Sequence, residues 1–176
     1  GGLVRAVDEM GIAENTCIVF LGDNGTDAVN QIRTTRAGLV RGGKRTLDDG
    51  GTHLPLIVRW PGKVEAGKTK RDLVDVVDLF PTFCEIAGAS LPEGKPLDGV
   101  SLVPCLTRNE RVGREVTVAG YGNNFSAFDG TWRLNSNGTI IDAQDLPRET
   151  EVSEEDLHEV SRKAVEAMKP FLEVLP

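Results

Sequence analysis

A chain of 176 residues, 39% hydrophobic and 27% charged, has an ordinary globular composition and can bury one good core or a domain and a half. Its formal net charge of -7 argues against nucleic acid as the main partner, because phosphate binding needs a basic face. No apolar run approaches the roughly 20 residues of a membrane span, and no cationic start leads into an apolar signal-like region.

In chain order, Leu3, Val4, Ala6, Val7 and Met10 recur at helical spacing, and Gly11 stands where a glycine commonly ends a helix. Thr16 to Leu21 is a β-branched, apolar run that predicts a buried strand broken by Gly22. A helix leading into such a strand favours an α/β sheet, and ligands of open α/β sheets bind beyond strand carboxyl ends, where Asp23 and Asn24 fall. Thr26 to Gly51 shows no periodicity and reads as a long loop, functional or mobile. Leu54 to Trp60 predicts a second strand closed by Pro61-Gly62. Asp75 to Ala87 predicts a helix with Leu79, Phe80, Phe83, Ile86 and Ala87 on one face and Gly88 at its end.

Pro92 to Pro96 is linker-like and places a boundary, giving residues 1–92 as an α/β unit and 93–176 as a small α+β unit. Val116 to Tyr121, Thr131 to Asn135 and Thr139 to Asp142 predict short strands, with Asn135 to Gly138 suited to a hairpin turn. From Ser153 to Leu172 a helix is expected, with Leu157, Val160, Ala164, Ala167, Met168 and Phe171 as its apolar stripe.

The chemistry concentrates between Thr16 and Lys44. Asp23 and Asn24 offer oxygen ligands suited to a hard cation, and the loop beyond carries Arg33, Arg36, Arg41, Lys44 and Arg45 without an intervening acid. Together they read as a site for metal-assisted chemistry on an oxyanion. Asp-Asn-Gly alone reads first as a tight turn, and a charge run is equally a solvated loop. Gly38 to Lys44 approaches a phosphate loop, but Arg45 stands where Ser or Thr must hold magnesium, so a nucleotide P-loop is rejected. Asn24, Asn124 and Asn137 each begin a glycosylation sequon. His53, near the candidate site, reads as structural or supporting, and His158 as exposed. The widely spaced Cys17, Cys84 and Cys105 suit neither a disulfide framework nor a zinc site.

The strings TCIVFLGDNGT, GGK, DGGTHLPLIVRWPG, VDLFPTFCEIAG and LDGVSLVPCL resemble, in order and spacing, the carboxyl-terminal portion of the type I sulfatases (arylsulfatase-like enzymes of the alkaline phosphatase superfamily). GTWRLNSNG, TIID and LPRE resemble that family's terminal subdomain. The implied fold is the end of a mixed-sheet α/β domain followed by a small antiparallel sheet with a packed helix. The implied activity is sulfate ester hydrolysis. Asp23 and Asn24 match the pair that completes a calcium site, and Lys44 matches a catalytic, substrate-binding lysine on the sulfate group. Asp49 replaces the usual Glu of Glu-Gly-Gly, and Asp48 a common aromatic. The family's nucleophile is a formylglycine made from the cysteine of a C-x-P/A-S/A-R motif. Cys105-Leu-Thr-Arg does not match that motif, so the 176 residues alone are expected to be inactive. The resemblance further implies an amino-terminal half as partner, often an exported enzyme, and self-association of this chain through an exposed sheet edge. Alternatives are a phosphodiesterase or phosphonate hydrolase of the same superfamily, or a non-catalytic module.

Overall fold

The computed structural model describes residues 1–27, 29, 31–34 and 38–173, with the backbone alone at 31–34, 38, 39 and 41. In chain order the elements are α1 (Gly2–Glu9), β1 (Ile18–Leu21), β2 (Gln31–Thr34), β3 (Gly38–Arg41), α2 (Asp49–Thr52), β4 (Leu56–Arg59), α3 (Leu79–Ala87) and α4 (Val103–Arg108). There follow β5 (Thr117–Tyr121), β6 (Asn124–Phe128), β7 (Trp132–Asn135), β8 (Ile140–Asp142), β9 (Thr150–Val152) and α5 (Glu159–Glu173). The mixed α/β character expected from the sequence is present. Two compact units share these elements: Gly1–Leu21 with Pro55–Arg114, and Gly22–Leu54 with Glu115–Pro176.

In the first unit, α1 ends as expected, with Gly11 in the left-handed region at φ 70°. Strands β1 and β4 pair antiparallel, with Phe20 opposite Ile57. Both side chains are more than half exposed, so these strands are not buried on both faces as their composition implied. The expected helix after Asp75 divides into a 3₁₀ turn at Val76–Asp78 and α3, which Gly88 closes at φ 66°. Its buried side also differs from the expected one. Pro81 and Thr82 are buried, whereas Phe80 and Phe83 are exposed.

The reason lies in Asp78, which has no exposed surface. Its carboxylate accepts from the Asp75 and Val100 amides, both at 2.8 Å, and from Arg114 through Nε at 3.2 Å and through Nη2. Thr82 Oγ1 donates to Asp78 O (2.6 Å) and accepts from the Leu102 amide (2.8 Å). These polar bonds turn Thr82 toward α4 and hold the chain beyond the proline-rich linker. Residues 93–114 cluster with the first unit.

The second unit is built on a five-stranded antiparallel meander in the order β5-β6-β7-β8-β9. Val116, Ala127, Trp132, Leu134 and Ile140 pack against Leu157, Val165 and Met168 from the α5 region. The helix starts only at Glu159, after a separate 3₁₀ turn at Glu154–Asp156, and this break resets its phase. Val165, Met168, Ala164 and Leu172 thus face the core, while Val160 and Phe171 are exposed. Within Thr26 to Gly51, expected to be loop throughout, β2 and β3 pair antiparallel with Gln31 opposite Arg41, and α2 follows. Four-residue strands are too short for a period of two to declare itself. Arg36 of the cationic run lies outside the described residues.

Removing Asp78 strands a largely buried guanidinium and two backbone donors, so Asp78→Ala is expected to cost about 3–5 kcal/mol, read as a lower urea midpoint. A loss below about 1 kcal/mol would show that solvent replaces the carboxylate without penalty.

Candidate functional site

Asp23 and Asn24 leave β1 through Gly22 and are exposed, and the Asn24 amide donates to Asp23 Oδ1 at 3.0 Å. Behind them Gly25 is buried, its amide 3.3 Å from Gly51 O. A Cβ on Gly25 would sit 2.1 Å from Gly50 O. The following carbonyl, Thr26 O, accepts from the Lys44 amide at 2.9 Å. Gly42 approaches Thr26 O and Asp27 O so closely that a Cβ would lie 2.4 and 2.3 Å from them. Gly43 would meet Gly50 C at 2.3 Å and Gly51 N at 2.4 Å, and Gly51 would meet Gly43 O at 2.5 Å. The Asp-Asn-Gly, Gly-Gly-Lys and Asp-Gly-Gly strings are thus one interlocked backbone cluster. No residue with a side chain fits at its contact points.

Lys44 is exposed, so this cluster fixes its main chain while leaving its ammonium group available. The structure brings Asp23, Asn24 and Lys44 onto one cluster. The side chains of Arg33 and Arg41 lie outside the described residues. Asp48 caps α2, its Oδ1 accepting from the Gly51 amide at 3.0 Å. Thr46 Oγ1 lies 2.7 Å from Gly43 O and within reach of Asp48 Oδ1, tying the lysine loop to the same turn.

Asp49 anchors the cluster to the sheet. Its amide donates to Glu149 Oε2 at 2.9 Å, and Glu149 Oε1 accepts from Arg133 Nε at 2.8 Å. Arg133 is only 3% exposed, lies between the core residues Trp132 and Leu134, and so occupies the sheet face opposite α5. Its guanidinium carbon is 4.8 Å from the centre of the Phe128 ring. Neither Glu149 nor Arg133 was singled out by the sequence, since nothing local marks a bond across 100 residues.

His53 Nδ1 lies 2.9 Å from Asp49 Oδ1, which supports the structural role expected of it. That hydrogen bond pushes the His53 pKa above 6.5, against partial burial and the charge of Arg133. Among the described residues, no three His, Cys, Asp or Glu side chains converge as a metal site. Asp23 and Asn24 supply two oxygen-bearing side chains, whereas calcium takes about 6–8 oxygens, so the pair alone does not make a calcium site.

Beside the lysine loop is a cleft of about 230 Å³ lined by Arg45, Leu47, Tyr121, Asn124, Phe125, Asn135, Ser136 and Asn137. Arg45 has φ 72°, an uncommon conformation for a residue with a Cβ. The β5–β6 and β7–β8 hairpin tips are bonded to each other: the Ser136 amide donates to Phe125 O (2.8 Å), and Ser136 Oγ accepts from the Phe125 amide (3.0 Å). The sequence showed Arg45 as one of five cations and as the residue that rules out a phosphate loop; its positive φ was the part that could not be read.

Comparison with known proteins places these motifs in a family context. A family model described as Sulfatase matches residues 1–89. Arylsulfatase A of Homo sapiens is 39% identical over 106 residues, covering 60% of this chain and 20% of the relative. Steryl-sulfatase of Mus musculus is 36% identical over 112 residues, covering 60% and 18%. The solved structure of BT4656 in complex with its substrate D-glucosamine-2-N,6-O-disulfate superposes with a TM-score of 0.66 at 20% identity, covering 98% of this chain and 36% of that one. The last likeness concerns the fold. The chain spans about a fifth of the length of these two curated relatives.

Gly43→Ala would drive a Cβ into backbone atoms that cannot rotate away. It is expected to destabilise the second unit by at least the ~1–3 kcal/mol of overpacking, with amide shifts at Lys44 and Gly51 in NMR spectra. An unchanged melting temperature and spectrum would contradict the interlock. For His53, a raised pKa means that its charged pair stabilises the fold below pH 6.5 and ceases to do so as pH rises through the folded pKa. An NMR titration should place the His53 midpoint above 6.5, and His53→Ala should lower stability at pH 5.5 more than at pH 8.5. A midpoint at or below 6.5 would contradict this pairing.

Proposed function

The chain belongs to the sulfatase family, and we propose that it forms one wall of the active site of a sulfuric ester hydrolase. The observation that carries this reading is the glycine interlock, which fixes the Lys44 main chain against the loop bearing Asp23 and Asn24. Lys44 Nζ would donate a charge-assisted hydrogen bond to a sulfate oxygen or to the bridging oxygen. Negative charge grows there as the S–O bond breaks, so the bond strengthens in the transition state. Asp23 and Asn24 would contribute two of the oxygens holding a calcium ion, and that ion when bound supplies charge neutralisation at the sulfate. Formylglycine and the other metal ligands would come from an amino-terminal portion of the parent enzyme. That portion is also the proposed partner for the exposed Phe20–Ile57 pair, through which the chain would otherwise self-associate.

His53 is not assigned proton transfer. Its Nδ1 is engaged by Asp49, and that pair orients the turn carrying Gly50 and Gly51, on which the lysine loop rests.

The test is turnover of an aryl sulfate by this chain joined to the amino-terminal portion of its parent. We expect activity that falls about 10²–10³-fold in kcat with Lys44→Ala, the loss typical of one transition-state donor. The 176 residues alone should show none. Equal activity of the lysine variant, or hydrolysis of phosphodiesters in preference to sulfate esters, would overturn the reading.

A further inference from the structure

We propose that the cleft beside the lysine loop is a sugar-binding subsite that recognises a second anionic group on a sulfated saccharide, with Arg45 as its specificity-determining residue. This deepens the sulfatase reading and rests on it. The cleft lies entirely within the second unit, between the loop bearing Arg45 and Leu47 and the two bonded hairpin tips.

Its chemistry selects the ligand class. Arg45 is the single charged side chain among the lining residues, in a chain of net charge -7. Asn124, Asn135, Asn137 and Ser136 offer amide and hydroxyl groups, while Tyr121 and Phe125 offer aromatic surface. Amides suit sugar hydroxyls, aromatic faces suit the C–H faces of a pyranose, and a guanidinium binds sulfate or carboxylate in a fork. A sterol, with four fused apolar rings, would find Leu47 as the one aliphatic lining residue. Sites for drug-sized ligands run from about 300 to 1,000 Å³, so a volume of about 230 Å³ suits a single ring.

Placement points to a ligand with two anions. Lys44 and Arg45 are consecutive, and the Lys44 amide bond to Thr26 O fixes the loop that carries both. A sulfate held at Lys44 therefore leaves Arg45 free to read another charge on the same sugar. Arg45 also adopts φ 72°, where a glycine would rest without strain, so its side chain sits at a local backbone cost. Asn135 Oδ1 is buried without a hydrogen-bond partner among the described residues, an acceptor that a sugar hydroxyl could satisfy after a small rotation of the amide.

The experiment is an NMR titration of the 176-residue chain, made in a host that does not glycosylate the Asn124 and Asn137 sequons. The probes are D-glucosamine-2-N,6-O-disulfate, N-acetylglucosamine 6-sulfate, N-acetylglucosamine and inorganic sulfate. The disulfated sugar should shift the amides of Arg45, Tyr121, Asn124, Phe125, Ser136 and Asn137, and bind about tenfold more tightly than the monosulfated one. Arg45→Gly should abolish that tenfold preference without lowering the melting temperature, because glycine accepts the positive φ. Asn124→Ala should weaken both sulfated sugars alike. Absence of shifts at the cleft up to about 50 mM disulfated sugar, the same shifts from inorganic sulfate alone, or an unchanged preference in Arg45→Gly would each overturn the subsite. Cleft binding by a chain whose parent hydrolyses no sulfate ester would leave the subsite standing and remove the sulfatase reading. Turnover by the parent without cleft binding would do the reverse.

Discussion

Contact between three backbone segments, with no side chain between them, is the constraint on which the candidate site depends. Gly25, Gly42, Gly43 and Gly51 each occupy a point where a Cβ would fall 2.1 to 2.5 Å from another segment's main chain. Backbone approach that leaves no room for a Cβ converts weak, separate loops into one body. The Lys44 amide closes it through Thr26 O, and the Gly25 amide closes it again through Gly51 O. A long lysine side chain carries large rotamer entropy, so the fold limits its freedom where it can, at the main chain. The exposed tip stays available to an anion.

The cluster needs a foundation, and the sheet provides one by unusual means. A buried arginine is costly unless paired, and Arg133 is paired with Glu149 and lies over the Phe128 ring. Glu149 uses its second oxygen on the Asp49 amide, so a single carboxylate joins the middle strand of the meander to the turn beneath the lysine loop. Helix α5 covers the opposite face through Val165 and Met168, which makes β7 buried on both sides. Apolar packing fixes the platform, and a chain of polar bonds sets what stands on it. In the first unit Asp78 plays the comparable part, gathering α3, the segment after the linker and Arg114 around one carboxylate.

These arrangements explain which features could be read from the chain. Strands β1 and β4 are dense in β-branched and aliphatic residues, and α1 and α3 end at glycines with positive φ, so sequence chemistry located them. Strand β6, Asn-Phe-Ser-Ala-Phe, sets Asn, Ser and Ala among its two Phe, and β9, Thr-Glu-Val, is only three residues long, so neither declares itself without the neighbouring strand that pairs with it. The six-residue α4 is too short for periodicity. The stripe on α5 was misphased because Leu157 precedes the helix, and the face on α3 because Thr82 is buried by hydrogen bonds instead of by apolarity. At the site, glycine-rich strings were visible as patterns. Their mutual contact was not, since residues without side chains leave no hydrophobic signature, and neither was a glutamate 100 positions from its partner.

The central claim is that the lysine loop and the Asp23–Asn24 loop form one rigid wall. Native-state hydrogen exchange of the Lys44 and Gly25 amides tests it most directly, with the Asn135 amide, bonded to Thr139 O where the β7–β8 hairpin closes, as reference. If the account holds, Lys44 and Gly25 exchange only in the same cooperative opening as Asn135, with matching free energies. Exchange of Lys44 and Gly25 at the rate of open loop amides, while Asn135 stays protected, would contradict it.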